Sequence, residues 1–391
     1  MSTQTKTMLL NMGPHHPATH GVLRLELELD GETIVRAEPH VGYLHRGFEK
    51  MAEYKTAQQI IPLTDRLDYS AASVNNLGFC VTVEKLLGID VPKRAQYLRV
   101  IMAELSRIMA HQLWLGTHAL DIGAMTPIFY TFADRELAME ITEEASGYRL
   151  TPSYLRIGGV AQDITPEFVR KVREFVQKMP KAIEGYHQLL TQNAIWMKRT
   201  KGIGVIPADT ALNYGLTGPS LRGSGVAYDV RKSLPYSSYN DFDFQIPIGA
   251  DGDTYDRYLV RMEEFTQSVR IIDQAIENLP SGPIIADNPW TTNPDLESVR
   301  HNVDDLIRRF KIASQGFTIP EGETYEAVEG AKGELGFYLV GNGDTHPYRL
   351  KIRSPGYYLV SALPYLIKGH MIADVITIIG SIDIVLGEVD R

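Results

Sequence analysis

Cysteine is almost missing from this chain: Cys80 is the only one among 391 residues. One sulfur can build neither an internal disulfide nor a thiolate metal centre. Its setting, "LGFCVTV", is apolar and fits a buried, inert thiol. Long apolar runs are lacking too. The greasiest stretch, "MIADVITIIGSIDIVLG" (371–387), carries Asp374 and Asp383 and falls short of the roughly 20 residues a membrane helix needs. There is no excess of positive charge: 39 Lys and Arg stand against 48 Asp and Glu, a net −9, so no basic stripe exists to neutralise nucleic-acid phosphates. The opening "MSTQTKTMLL" has neither a signal peptide's apolar core nor the arginines of a transit peptide. These absences lead us to expect a soluble, cytoplasmic-side protein whose membrane link, if any, is made by partners.

What is present is an ordinary globular composition, 44% hydrophobic and 22% charged. "VLRLELEL" (22–29) alternates as a half-buried strand, "DGET" (30–33) is a hairpin turn, and "IVRAEPHVGY" is the return strand. From about residue 47 the pattern turns helical. Leu98, Ile101, Leu105, Ile108 and Leu115 mark one long helix, with further helices near 134–147, 166–198, 255–278 and 296–313. Residues 214–249, rich in Gly, Ser, Tyr and Pro, form a loop long enough to lie on or near function. Residues 323–361 alternate like antiparallel strands, and the last thirty return to a helical or buried pattern. The expected class is α+β with helices dominant, in a single domain 1–391. Its zones are a hairpin region (1–50), a helical body (51–315) and a strand-rich tail (316–391).

Several motifs carry competing readings. "GPSLRGSG" (218–225) lacks the Gly-Lys-Ser/Thr ending of a phosphate loop. His15, His16 and His20 crowd into six residues, but Pro14 and Pro17 break the helix on which an H-x-x-x-H pair would share a face. A metal site there would need His40 or His45 from the next strand. Glu104, Arg107, His111 and His118 share a stripe that reads as an ion-paired polar face. Tyr69 in "TDRLDYSAAS" reads as a core tyrosine or a ligand, and Asp121 as a helix-terminal carboxylate or a histidine's partner.

Taken together, "NMGPHHPATHGVLRL", "GYLHRGFEK", "DRLDY", "LDIGAMTP", "LRIGGV", "LTGPSLRGSGVAYDVRK", "GELGFYL" and "SIDIVLGEVDR" resemble the D subunit of respiratory complex I, over essentially the whole chain. That family is the hydrogenase-like subunit of proton-pumping NADH:quinone oxidoreductase and its photosynthetic relatives. The resemblance implies a fold like the large subunit of nickel–iron hydrogenases. Hydrogenases hold their metals with four cysteines, in an early R-x-C-G-x-C and a late D-P-C-x-x-C-x-x-H. The matching segments here run from Arg66 to Ala71 and from Asp383 to Arg391. Asp68, Ala71, Val385 and Glu388 replace the thiolates, so hydrogenase chemistry is excluded and no metal is expected.

By the same resemblance the old metal cavity serves as a quinone pocket (ubiquinone, menaquinone or plastoquinone). His20 and Tyr69 would bind the head group, with Asp121 as the histidine's partner and Asp68, Val385 and Glu388 lining the cavity. A tyrosine hydroxyl, with an ordinary pKa of about 10, and a histidine, at about 6.5, can each donate a hydrogen bond and then a proton. Electrons would come from an iron–sulfur cluster in the neighbouring B subunit, near Arg66. The C, I and membrane H subunits would be further partners, and the location the cytoplasmic side of the inner membrane (matrix or stroma if organellar). The alternative is a non-catalytic scaffold of a related complex with another donor, such as ferredoxin. Thr151 stands where many relatives carry a cluster-side histidine, so weak or absent proton coupling of the cluster potential is expected. Its presence also hints at menaquinone or a donor other than NADH.

Overall fold

The computed structural model describes residues 7–14, 21–288 and 292–391. The chain begins with β1 (Met8–Met12), β2 (Arg24–Asp30) and β3 (Thr33–His40), one antiparallel sheet in that order. The alternation read in the sequence is real: Leu23, Leu25, Leu27 and Leu29 are buried while the intervening residues face outward. Gly31, with φ 64, makes the β2–β3 turn in a conformation that favours glycine. Strand β1 was not foreseen. Its short "MLLNM" lacks an alternating pattern and is recruited by pairing Met8 with Leu29 through Met12 with Leu25.

The helical body follows as α1 (Phe48–Ala52), α2 (Ala57–Thr64), α3 (Ala72–Leu87), α4 (Lys93–Asp121) and α5 (Thr126–Ser146). A two-stranded ribbon, β4 (Leu155–Arg156) and β5 (Gly159–Val160), precedes α6 (Pro166–Leu190) and α7 (Ala194–Thr200). Three short helices, α8 (Ala208–Asn213), α9 (Gly218–Gly223) and α10 (Val230–Ser233), lead to the long α11 (Thr254–Glu277), then α12 (Leu296–His301) and α13 (Val303–Gln315). The tail holds β6 (Gly322–Glu329), β7 (Glu334–Gly341) and β8 (Arg349–Arg353), antiparallel in that order, then α14 (Pro355–Ile367), α15 (Ile372–Ile382) and α16 (Leu386–Asp390). The fold is therefore α+β with helices dominant. The strand pattern expected to 361 stops at Arg353, because Ser354–Pro355 starts a helix with proline at its first position.

Two apolar cores form. The larger packs α3, α4, α6 and α11 with the β6–β8 sheet; the smaller joins β2 and β3 to α14 and α15. Helices α4 and α11 both reach from the larger core to α15 of the smaller, Arg261 of α11 donating to Ser381 O at 2.9 Å. Trp114 Nε1 donates to Gly380 O of α15 at 2.7 Å, and His118 Nε2 lies 3.1 Å from Thr377 O.

The stripe on α4 is ion-paired, but it is not a solvated face. Glu104, Arg107, His111 and His118 are all fully buried. Glu104 pairs with Arg107 at 3.2 Å and with Arg231 at 3.1 Å, and accepts from Tyr239 and Ser268 at 2.7 and 2.6 Å. Arg222 meets Glu264 at 2.6 Å and Glu329 at 2.8 Å, and His111 Nε2 lies 2.7 Å from Glu264. Burial dominates His111 and drops it to about 4, so it stays neutral beside that carboxylate. The ion-paired reading holds, while the identity of the partners was not legible in the sequence because most of them sit more than 100 residues away.

The "GPSLRGSG" segment is accordingly structural. It makes α9, and its Arg222 feeds the buried ionic network. Among the described residues no helix is long and apolar enough to cross a membrane.

Candidate functional site

The early motif occupies the loop between α2 and α3. Asp68 Oδ1 accepts from Ser70 N at 3.0 Å and from its hydroxyl at 2.6 Å, and Asn75 Nδ2 donates to Asp68 O at 2.9 Å. These bonds turn the loop tightly and leave Tyr69 at its tip, 48% exposed. Tyr69 is therefore not a core tyrosine. Partial burial, then the adjacent Asp68 carboxylate, hold its hydroxyl above the usual tyrosine value.

The late motif meets that loop directly. Helix α15 ends at Asp383, whose backbone sits in the left-handed region (φ 52, ψ 54), a conformation aspartate tolerates better than most residues. Gly387 then lies so close to the early loop that a Cβ would come 2.5 Å from Leu67 O and 2.9 Å from Arg66 O. Only glycine fits there. Arg46 fastens the two loops together by donating to Arg66 O at 2.8 Å and Gly387 O at 3.1 Å. Asp390 completes the closure by accepting from Gly42 N and Leu44 N at 2.8 and 2.7 Å.

Beneath Tyr69 lies a buried ionic cluster. Lys332, in the β6–β7 turn, places Nζ 2.8 Å from Ser70 Oγ, 3.1 Å from Asp383 and 3.4 Å from Asp68. Burial alone would lower the lysine, but Asp383 and Asp68 outweigh it and hold the ammonium charged. Glu388 accepts from Gly356 N at 2.8 Å. Burial, then Asp68, raise its carboxyl to about 8, so it carries a proton at neutral pH. Asp383 is raised as well, chiefly by burial. An ammonium at the centre of this set repels a cation, and no three His, Cys, Asp or Glu side chains among the described residues group to hold a metal ion.

The structure thus brings together Arg66, Asp68, Tyr69, Val385 and Glu388, from chain segments more than 300 residues apart. Arg66 is exposed on the loop's outer side, and Val385 is buried as it leads into α16. His20 lies outside the described residues. Its neighbour Gly21 lies by the late motif, where a Cβ would sit 3.9 Å from Leu386 Cδ2. Asp121 closes α4 one turn beyond His118; burial raises its carboxyl to about 7. Thr151 adopts a left-handed φ of 50, and two residues on Ser153 donates to Asp65 Oδ2 at 2.5 Å, pinning that segment beside Arg66. Sequence reading missed Lys332 and Arg46. Each is a plain cation beside a glycine, with no pattern to mark its partners.

Residues 121–391 match the family model described as respiratory-chain NADH dehydrogenase, 49 Kd subunit. The chain is 54% identical over 387 residues to the D subunit of NADH-quinone oxidoreductase from Geotalea uraniireducens, covering 99% of both chains. It is 52% identical to the D subunit of that enzyme in Geobacter sulfurreducens, with 99% of both chains covered. The Chromobacterium violaceum counterpart is 49% identical, with 99% of this chain and 100% of the relative covered. The chain belongs to this family. As a D subunit of the complex I type it is part of an oxidoreductase complex, which it shares with other subunits.

Proposed function

We propose that this chain shapes the quinone site of its complex, with Tyr69 as a proton donor to the reduced head group. The observation that carries the reading is the convergence of the early and late loops on a half-exposed tyrosine above a buried acid–ammonium cluster. A quinone that takes two electrons becomes a dianion unless protons arrive at its oxygens. A hydroxyl aimed at one oxygen donates a hydrogen bond before electron transfer and a proton after it.

His20 serves the second oxygen in this reading, and the Gly21–Leu386 proximity supports placing it at the same cavity. Asp121 accepts from the histidine ring, fixing its tautomer. Asp68, Val385 and Glu388 form the cavity floor and wall. Electrons arrive from an iron–sulfur cluster in the B subunit past Arg66, a cation that would stabilise the reduced cluster. The C, I and H subunits complete the assembly, with this chain peripheral on the cytoplasmic side of the membrane. We also read the chain as one domain with a hydrogenase-like fold. The contacts of α4 and Lys332 with the last helices support a single body.

A photoactivatable short-chain quinone analogue tests this in intact membranes. Light-dependent labelling of the 66–71 or 383–391 segments, competed by unlabelled quinone, is the expected result. Labelling confined to other subunits would favour the scaffold reading, in which this pocket no longer takes quinone.

A further inference from the structure

We infer that Lys332 is a positioning residue of the quinone site, a buried ammonium that offsets the negative charge left on Tyr69 when its proton passes to the reduced head group. This rests on the quinone reading above. The lysine sits at 2% exposure in a hairpin turn whose four residues, 330–333, are all buried, whereas turns of this kind ordinarily lie in water. Placing an ammonium there has a cost, and the fold meets it with Asp68 from the early motif and Asp383 from the late one.

Much of the surrounding structure serves to hold this turn. Gly330 N donates to Gly333 O at 2.8 Å, and Thr217 Oγ1 accepts from Glu334 N at 3.0 Å. Gly218 packs so closely that a Cβ would overlap Gly333. Arg107 donates to Glu329 O at 2.6 Å and to Gly330 O at 2.9 Å, and Arg222 pairs with the Glu329 side chain at 2.8 Å. The α4 ionic network and the "LTGPSLRGSG" segment therefore converge on the presentation of one lysine.

The chemistry follows from the charges around the phenol. Lys332 Nζ reaches both chain neighbours of Tyr69, Ser70 Oγ at 2.8 Å and Asp68 at 3.4 Å, so its charge favours ionisation of the phenol while Asp68 and Asp383 oppose it. When the tyrosine O–H bond breaks, the proton forms the new O–H bond on the quinol oxygen and the electron pair stays on the phenolate. A fixed cation stabilises that anion where it develops, without solvent reorganisation. Water reaching the exposed edge of the ring returns the proton afterwards.

The test compares Lys332→Met in native and Tyr69→Phe backgrounds, in assembled complexes normalised by electron transfer to an artificial acceptor. In the native background kcat for quinone should fall about tenfold or more while KM stays unchanged. In the Tyr69→Phe background the same substitution should cost nothing further. An equal loss in both backgrounds, or no loss in the native one when Tyr69→Phe itself is slow, overturns the inference. A Tyr69→Phe variant with full activity overturns the quinone reading instead. If Lys332→Met does not assemble, the pair-neutral Lys332→Met/Asp68→Asn variant replaces it. Failure of both to assemble makes the lysine a folding element and also overturns the inference.

Discussion

At Glu388 a single carboxyl carries a clear pH signature. Its folded-state value of about 8 lies above the ordinary value of about 4.5, so its contribution to stability is fully present below that ordinary value and is lost as pH rises through 8. Glu388→Gln should therefore flatten the decline of the complex's unfolding temperature between about pH 5 and pH 8, the window between the two values. An unchanged decline across that window would mean that another group sets it. Asp121 offers a second test. Burial places its carboxyl at about 7, so below that pH it is protonated and cannot accept from a histidine ring as a carboxylate. Quinone reduction should fall as pH drops below 7, and Asp121→Asn should abolish that acid limb. Tyr69, Asp68 and Glu388 were legible in the sequence because motifs name them. Lys332 was not, because a lysine's burial depends on carboxylates 51 and 264 residues away.

Among the elements, α4 shows how far a polar stripe can be read: its ion pairing was legible, its burial was not. Its apolar positions were readable at helical spacing, yet helix periodicity cannot say whether charged neighbours face water or partners from α9, α10, α11 and β6. Removing one member of such a buried network leaves an uncompensated charge. Arg222→Met should lower unfolding free energy by about 3–5 kcal/mol, read by chemical denaturation of the purified complex's peripheral arm. A change below about 1 kcal/mol would show that the network is solvated. The hairpin β2–β3 was readable from alternation and Gly31; β1 was not, since its identity is set by the edge it joins.

For the whole molecule, the arrangement brings two distant chain segments to one tyrosine. Thr151 makes a prediction at this scale, because its side chain does not titrate in the physiological range. The midpoint potential of the partner's cluster in the assembled complex should be the same at about pH 6 and pH 8. A pH-sensitive midpoint that persists in Thr151→Val would place the coupling elsewhere. The central claim, that Tyr69 delivers a proton to reduced quinone, is tested most directly by Tyr69→Phe in intact membranes. With assembly and electron transfer to an artificial acceptor preserved, quinone reductase activity should fall about 100-fold, the usual scale for losing a positioned proton donor. Activity equal to that of the native complex would contradict the account.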